Sequence, residues 1–265
     1  MYQSSLSTKD PNPPASPTKT PSTTSPQQPH IIPATSAHTH TIIFLHGRGS
    51  DAETFAEELF VSRTADGQYF TTRCPGLKWV FPCAPKSHSA LDQEEVHQWF
   101  NMSSVQRPQE DVEVQRPGLW ESVAALRQVM EEEAQRVGGM QNIILAGISQ
   151  GCATAIFTLL TSGWGVGGFV GLAGWLPLVE EMRDVMNVPG RMKHFVGTPV
   201  LLQHCRDDEV VPICNGERLR DKLEEWGMRV QWRDFEKGGH WLQEPEGMHE
   251  VVEFMLKCMG ASENQ

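Results

Sequence analysis

The pentapeptide Gly147-Ile148-Ser149-Gln150-Gly151 is the stretch of this chain best suited to chemistry. It follows the apolar run Ile143-Ile144-Leu145-Ala146 and opens a small-residue stretch from Cys152 to Leu160, so the pattern predicts a strand that turns sharply into a helix at Ser149. At such a turn the serine backbone is strained and its neighbours have no room for side chains, which explains a glycine on both sides. The turn lifts the hydroxyl into the open, where it can act as a nucleophile. A free serine hydroxyl is scarcely ionised at neutral pH, so it needs a base and a group that orients the base.

In a strand, serine and helix arrangement of this kind the acid and then the histidine come later in the chain. Gln203-His204-Cys205-Arg206-Asp207-Asp208 follows the apolar run Val200-Leu201-Leu202, which delivers an acidic pair to the end of a strand. Spacing does not separate Asp207 from Asp208. Gly238-Gly239-His240 follows the strand-like 230–235, and the glycines permit a loop that projects the imidazole inward. Leu45-His46-Gly47-Arg48-Gly49-Ser50 supplies a glycine-rich turn after the first strand. From it the backbone amide of Arg48, together with that of Gln150, is expected to face a transition-state oxyanion. A lone histidine or a lone glycine turn has an ordinary structural reading; the four parts together point to acyl transfer.

Short apolar runs alternate with amphipathic stretches from His40 onward, the pattern of strands and crossover helices in a mainly parallel sheet. Strands are predicted at 41–45, 78–81, 142–148, 168–173, 199–204 and 229–234, and helices at 52–63, 119–137, 150–161, 213–226 and 245–257. Between 85 and 118 lies a long polar connection containing Gln98-Trp99-Phe100-Asn101-Met102. Connections of that length are usually functional, so it reads as a lid over an apolar substrate, with a plain staple of Trp99 and Phe100 to the core as the competing reading.

The 265 residues fit one domain with a tail: residues 1–36, rich in Pro, Ser, Thr and Gln, are expected to be disordered, and 37–265 to form the globular unit. A net charge of −11 without clustered Lys or Arg argues against nucleic acid or anionic lipid as partner. Six scattered cysteines without a C-x-x-C, and no apolar leader or transmembrane run, suggest free thiols in a reducing, cytoplasmic setting. His38-Thr39-His40 has a metal-like spacing but stands before the first strand, so no metal or organic cofactor is expected.

These motifs resemble the phospholipase/carboxylesterase group of α/β-hydrolases, which includes acyl-protein thioesterases and lysophospholipases. The resemblance runs from about His40 to the C-terminus. It rests on Phe44-Leu45-His46-Gly47-Arg48-Gly49-Ser50-Asp51, Trp99-Phe100, the Ser149 pentapeptide, Gly174-Trp175-Leu176-Pro177-Leu178, and Asp208-Glu209-Val210-Val211-Pro212 with Gly239-His240. It implies a minimal α/β-hydrolase fold that starts at the strand before the oxyanion turn. It also implies Ser149, Asp208 and His240 as catalytic residues, Asp208 being selected over Asp207 by its offset from the Val-Pro segment. The implied substrate is an acylated protein or small lipophilic ester, met by Trp99, Phe100, Trp175, Leu176 and Trp241. Departures from the family pattern are Arg48 where Leu is frequent, Cys152 where a second Gly is frequent, Asn101 for Asp, and the bulky Trp241. A catalytically silent domain of the same fold that binds a ligand or partner is the alternative, since fold does not fix function.

Overall fold

The computed structural model describes residues 28–260. Its first strand, β1 (His30–Ile32), lies ahead of β2 (His40–Leu45) and pairs antiparallel with β3 (Leu77–Phe81). This corrects two expectations: a strand precedes Thr41, and the folded unit starts before residue 37. Three residues are too few for alternation to register in the sequence; Ile32 is held by pairing with Trp79 and by packing on the core behind it. The rest of the expected tail, 1–27, lies outside the described residues.

After β3 come a two-stranded antiparallel hairpin, β4 (Lys86–His88) and β5 (Glu95–His97), and then β6 (Ile143–Ile148), β7 (Gly168–Leu172), β8 (Val200–Cys205) and β9 (Val230–Phe235). The main sheet runs β1-β3-β2-β6-β7-β8-β9, parallel throughout except at β1. All six expected strands are present to within two residues.

Both faces of the sheet are covered, which is why the inner strands are apolar at successive positions. Ile42 and Phe44 of β2 enter one core with Phe55 of α1 (Ala52–Val61), Phe70 of α2 (Phe70–Arg73) and Val251 of α7 (Glu246–Cys258). Ile43 and Leu45 enter the other with Leu126 of α3 (Val112–Val137), Ile156 of α4 (Gln150–Ser162), Met182 of α5 (Val179–Met186) and Leu219 of α6 (Ile213–Glu225). Every residue of α4 is buried, so its threonines are satisfied internally: Thr154, Thr158 and Thr161 donate to carbonyls four residues back at 2.7–2.9 Å. Asp51 caps α1 by accepting from the amides of Glu53 and Thr54.

Helix α3 begins at Val112, not at 119. Pro117-Gly118 reads as a break, yet Pro117 stands within the first turns, and Gly118 lets the helix cross the Phe100 backbone, where a Cβ would lie 3.0 Å from the Phe100 Cα. The chain leaves β2 for β3 on one side and reaches β6 on the other, so the strand order reverses between β2 and β6. The crevice outside the carboxyl ends of strands at such a reversal is where open α/β sheets place their ligands.

Candidate active site

Ser149 stands at this reversal, between the end of β6 and the first turn of α4, with φ 55° and ψ −123°. That conformation costs on the order of 1–3 kcal/mol in a residue with a side chain, and it persists because the surroundings leave no other path. A Cβ at 147 would lie 2.5 Å from the Cys152 amide nitrogen, and one at 151 would lie 2.4 Å from the His46 carbonyl oxygen. The amide of Ser149 donates to the Leu172 carbonyl at 2.9 Å. The residue as a whole is only 6% exposed.

The turn after β2 lies directly beside it. A Cβ on Gly47 would meet that of Ser149 at 3.5 Å, and Gly49 takes φ +86°. His46 holds this turn from within: its Nε2 accepts from the Ala84 amide at 3.0 Å, so Nδ1 carries the proton and donates to the Gly47 carbonyl at 2.8 Å. Burial pushes the His46 imidazole down to about 4, so it is neutral at physiological pH. The amides of Arg48 and Gln150 have no hydrogen-bond acceptor among the described residues. The Arg48 side chain turns to the hairpin: its guanidinium donates to Ser89, Asp92 and Gln98 in and beside it, while the Gly49 amide donates to the His97 carbonyl at 2.8 Å.

On the other side of the site, Asp208 follows β8 and His240 follows β9. His240 Nδ1 lies 2.7 Å from Asp208 Oδ2. Asp208 Oδ1 accepts from the amides of Val210 at 2.9 Å and Val211 at 2.8 Å. Burial alone would raise this carboxyl, but hydrogen bonds from His204, His240 and Val211 outweigh it and hold Asp208 well below the usual carboxylate range. An ionised Asp208 only accepts, so Nδ1 of His240 bears the proton and Nε2 is left as the basic nitrogen. Ser149 Oγ and His240 are not hydrogen-bonded to each other; of the three side chains singled out in the sequence, the structure joins Asp208 to His240 and sets Ser149 on the same edge of the sheet.

Sequence reasoning missed His204. This buried residue of β8 donates from Nε2 to the Val211 carbonyl at 2.9 Å and lies 3.3 Å from Asp208 Oδ2. Its only sequence signal is an imidazole in an otherwise apolar strand. The Gln150 side chain was missed as well: its Oε1 accepts from the Trp99 amide at 2.9 Å and its Nε2 donates to the Phe100 carbonyl at 2.7 Å.

Those bonds match the staple reading of Trp99 and Phe100. The 85–118 connection contains the β4–β5 hairpin and the start of α3, and Trp99 and Phe100 are 5% and 1% exposed. The Trp99 indole donates to the His46 carbonyl at 2.8 Å. Both aromatic residues staple the connection to the core and to the turn after β2, because burying two large rings outweighs keeping a polar loop loose. Trp175 and Leu176 follow β7 and line a cavity of about 520 Å³ with Gln109, Asn215 and Arg218, a cavity that Ser149 does not line. Trp241 is half-buried against Phe55, ring centroids 5.8 Å apart. Phe100 packs edge-on against Trp175, ring centroids 6.5 Å apart, and Trp99, Phe100, Trp175 and Leu176 share one core, whereas Trp241 packs against the other.

Of the metal-like histidines, His38 contacts Thr41 at 2.9 Å and His40 contacts Thr39 at 3.0 Å. Among the described residues no three His, Cys, Asp or Glu are grouped as metal ligands, and no helix is long and apolar enough to cross a membrane. All six cysteines are free.

Comparison with known proteins agrees with this architecture. The profile of the Phospholipase/Carboxylesterase family matches residues 26–259. The chain belongs to that family. It is a hydrolase acting on ester bonds. Among its relatives, acyl-protein thioesterase 1 of Yarrowia lipolytica is 29% identical over 208 residues, covering 77% of this chain and 86% of the relative. Acyl-protein thioesterase 1 of Gibberella zeae is 27% identical over 236 residues, covering 86% and 94%. In fold it is similar to Zea mays acyl-protein thioesterase 2, with a TM-score of 0.73 at 24% identity over 88% of this chain and 99% of that one. Esterase PE8 follows with a TM-score of 0.68 at 22% identity, covering 87% and 98%.

Proposed function

We propose that this family member cleaves the thioester or carboxylic ester of an acylated substrate through Ser149, His240 and Asp208. Ser149 Oγ attacks the carbonyl carbon while His240 Nε2 takes its proton, and Asp208 holds the imidazole and stabilises the imidazolium. The tetrahedral oxyanion lies against the free amides of Arg48 and Gln150. His240 returns the proton to the leaving thiol or alcohol, and water then releases the acid from the acyl-enzyme by the same steps. No metal or organic cofactor enters these steps. The observation that carries the reading is the 2.7 Å bond between His240 Nδ1 and an ionised Asp208, which fixes the tautomer a serine needs from its base.

An acylated protein is the substrate class favoured by the relatives, which are named acyl-protein thioesterases. A fluorophosphonate probe tests the chemistry: the native chain is labelled and Ser149→Ala is not, with turnover of a thioester substrate falling at least ~10⁴-fold in the variant. An unlabelled native chain would sink the enzymatic reading in favour of a silent binding domain. Matched thioesters and oxyesters of increasing acyl length then rank the two chemistries.

A further inference from the structure

Three consecutive residues after β8 reach the loop that carries His240, each at a different place. Arg206 pairs with Asp234 and Glu236, at the end of β9 and just beyond it, and its amide donates to the Phe235 carbonyl at 2.7 Å. Asp208 takes the His240 ring. Asp207, which resemblance sets aside as the neighbour of the acid, takes the main chain between them: its Oδ1 accepts from the Gly239 amide at 2.8 Å and its Oδ2 from the Gly238 amide at 3.3 Å.

Those two glycines are where the loop most needs an external hold. Gly238 has φ +150° and would place a Cβ 2.6 Å from Cys205 Sγ, and Gly239 has φ +63°, so neither position accepts a side chain easily. Glycine also has the most backbone freedom to lose on ordering. The segment that aims the imidazole is therefore the one with the least tendency to stay put. Hydrogen bonds from two successive amides to one carboxylate are charge-assisted and stronger than neutral ones.

We infer that Asp207 is a positioning residue for His240, holding the backbone of its loop while Asp208 holds its ring; this rests on the hydrolytic mechanism proposed above. Asp208 alone fixes the imidazole relative to β8 but leaves the main chain ahead of His240 able to pivot. A pivot of the loop withdraws Nε2 from the serine, and catalytic geometry is sensitive to displacements of that size. Asp207 touches neither substrate nor reacting atoms and acts only through the loop.

The test compares Asp207→Ala with Asp207→Asn. Alanine removes both acceptors, whereas asparagine keeps one carbonyl oxygen for the Gly239 amide. Because Asp207 is exposed, the expected loss in Asp207→Ala is moderate: kcat lower by about 5- to 20-fold, KM within about two-fold, and a parallel slowing of fluorophosphonate labelling. Asp207→Asn restores kcat to within about three-fold of the native chain, and the melting midpoints of both variants stay within about 3 °C of it. Native kcat in Asp207→Ala, equal losses in the two variants, or a loss confined to KM would overturn the inference while leaving the Ser149 mechanism standing. A native chain that the probe does not label would overturn both.

Discussion

Around Ser149 the backbone is fixed by collisions, with Cβ positions at 147 and 151 only 2.5 and 2.4 Å from neighbouring main-chain atoms, in a region where every residue of α4 is buried. Around His240 the chain is held by ions: Arg206, Asp207 and Asp208 each bind a different part of the β9 loop, and residues 236–238 are exposed. The first arrangement is set by shape and gives way only if strand and helix separate. The second is set by charge and hydrogen bonding in partial contact with water, so it can be loosened one group at a time without unfolding the sheet. In the mechanism proposed above, the nucleophile takes the rigid strained seat and its base an orientation that tolerates a change of charge during the reaction.

The contrast is sharpest at Asp208. Asp208→Asn leaves an acceptor for the Val210 and Val211 amides but removes the anion that fixes the Nδ1–H tautomer of His240, so kcat should fall ~10³–10⁴-fold with the fold retained. Turnover measured beside a circular dichroism melt decides it, and a loss below tenfold would mean that this side of the site does not depend on the charge. On the other side, Gly151→Ala should cost about 3 kcal/mol or more, because the new methyl meets the His46 and Leu45 carbonyl oxygens. Gly47→Ala, whose Cβ would make only an ordinary 3.5 Å contact with Ser149, should cost less than about 1 kcal/mol. Urea denaturation of the pair measures the difference, and equal costs would remove the argument from collision.

Acid is expected to act on the Ser149 side through folding. His46 is lowered by burial from 6.5 to about 4. As pH falls through 6.5 the unfolded chain takes up a proton that the native turn refuses, so stability present above that pH is lost until about pH 4, by roughly 2–3 kcal/mol. His38 and His40 are lowered in the same direction, chiefly by burial. Asp208 works in a lower window: its native carboxyl titrates below the usual range, so its contribution is lost only as pH drops beneath that range. Thermal midpoints at pH 7 and pH 4.5 report the His46 window, and a flat profile between them would contradict a neutral buried imidazole.

Legibility in the sequence followed the range of the forces involved. Five of the six long strands were readable because burial on both faces demands apolar residues in succession, and the edge strand β9 because its exposure alternates, whereas β1 was not, being three residues made stable by Trp79, Val80 and Phe81 far along the chain. The start of α3 was misplaced because Pro117 and Gly118 are local signals for a break, and the packing of that helix over Phe100 overrides them. Trp99 and Phe100 were visible as bulky residues in a polar connection, but their partners, His46 and Gln150, lie about fifty residues away in sequence. His204 gave almost no signal, since one imidazole in a strand reads as an ordinary core residue.

The sequence by itself determined the order of strand, serine turn and helix, the arrival of an acidic pair and a glycine-led histidine at later strand ends, and the two-faced burial of the sheet. These are local patterns, written by side-chain size and backbone freedom within a few residues. Side-chain spacing left open which of two adjacent carboxylates meets the imidazole; resemblance pointed to Asp208, and tertiary structure seated Asp208 on the ring and Asp207 on the amides of Gly238 and Gly239. It also decided that the connection after β3 is sewn into the core, because that depends on hydrogen-bond partners brought near only once the sheet has formed.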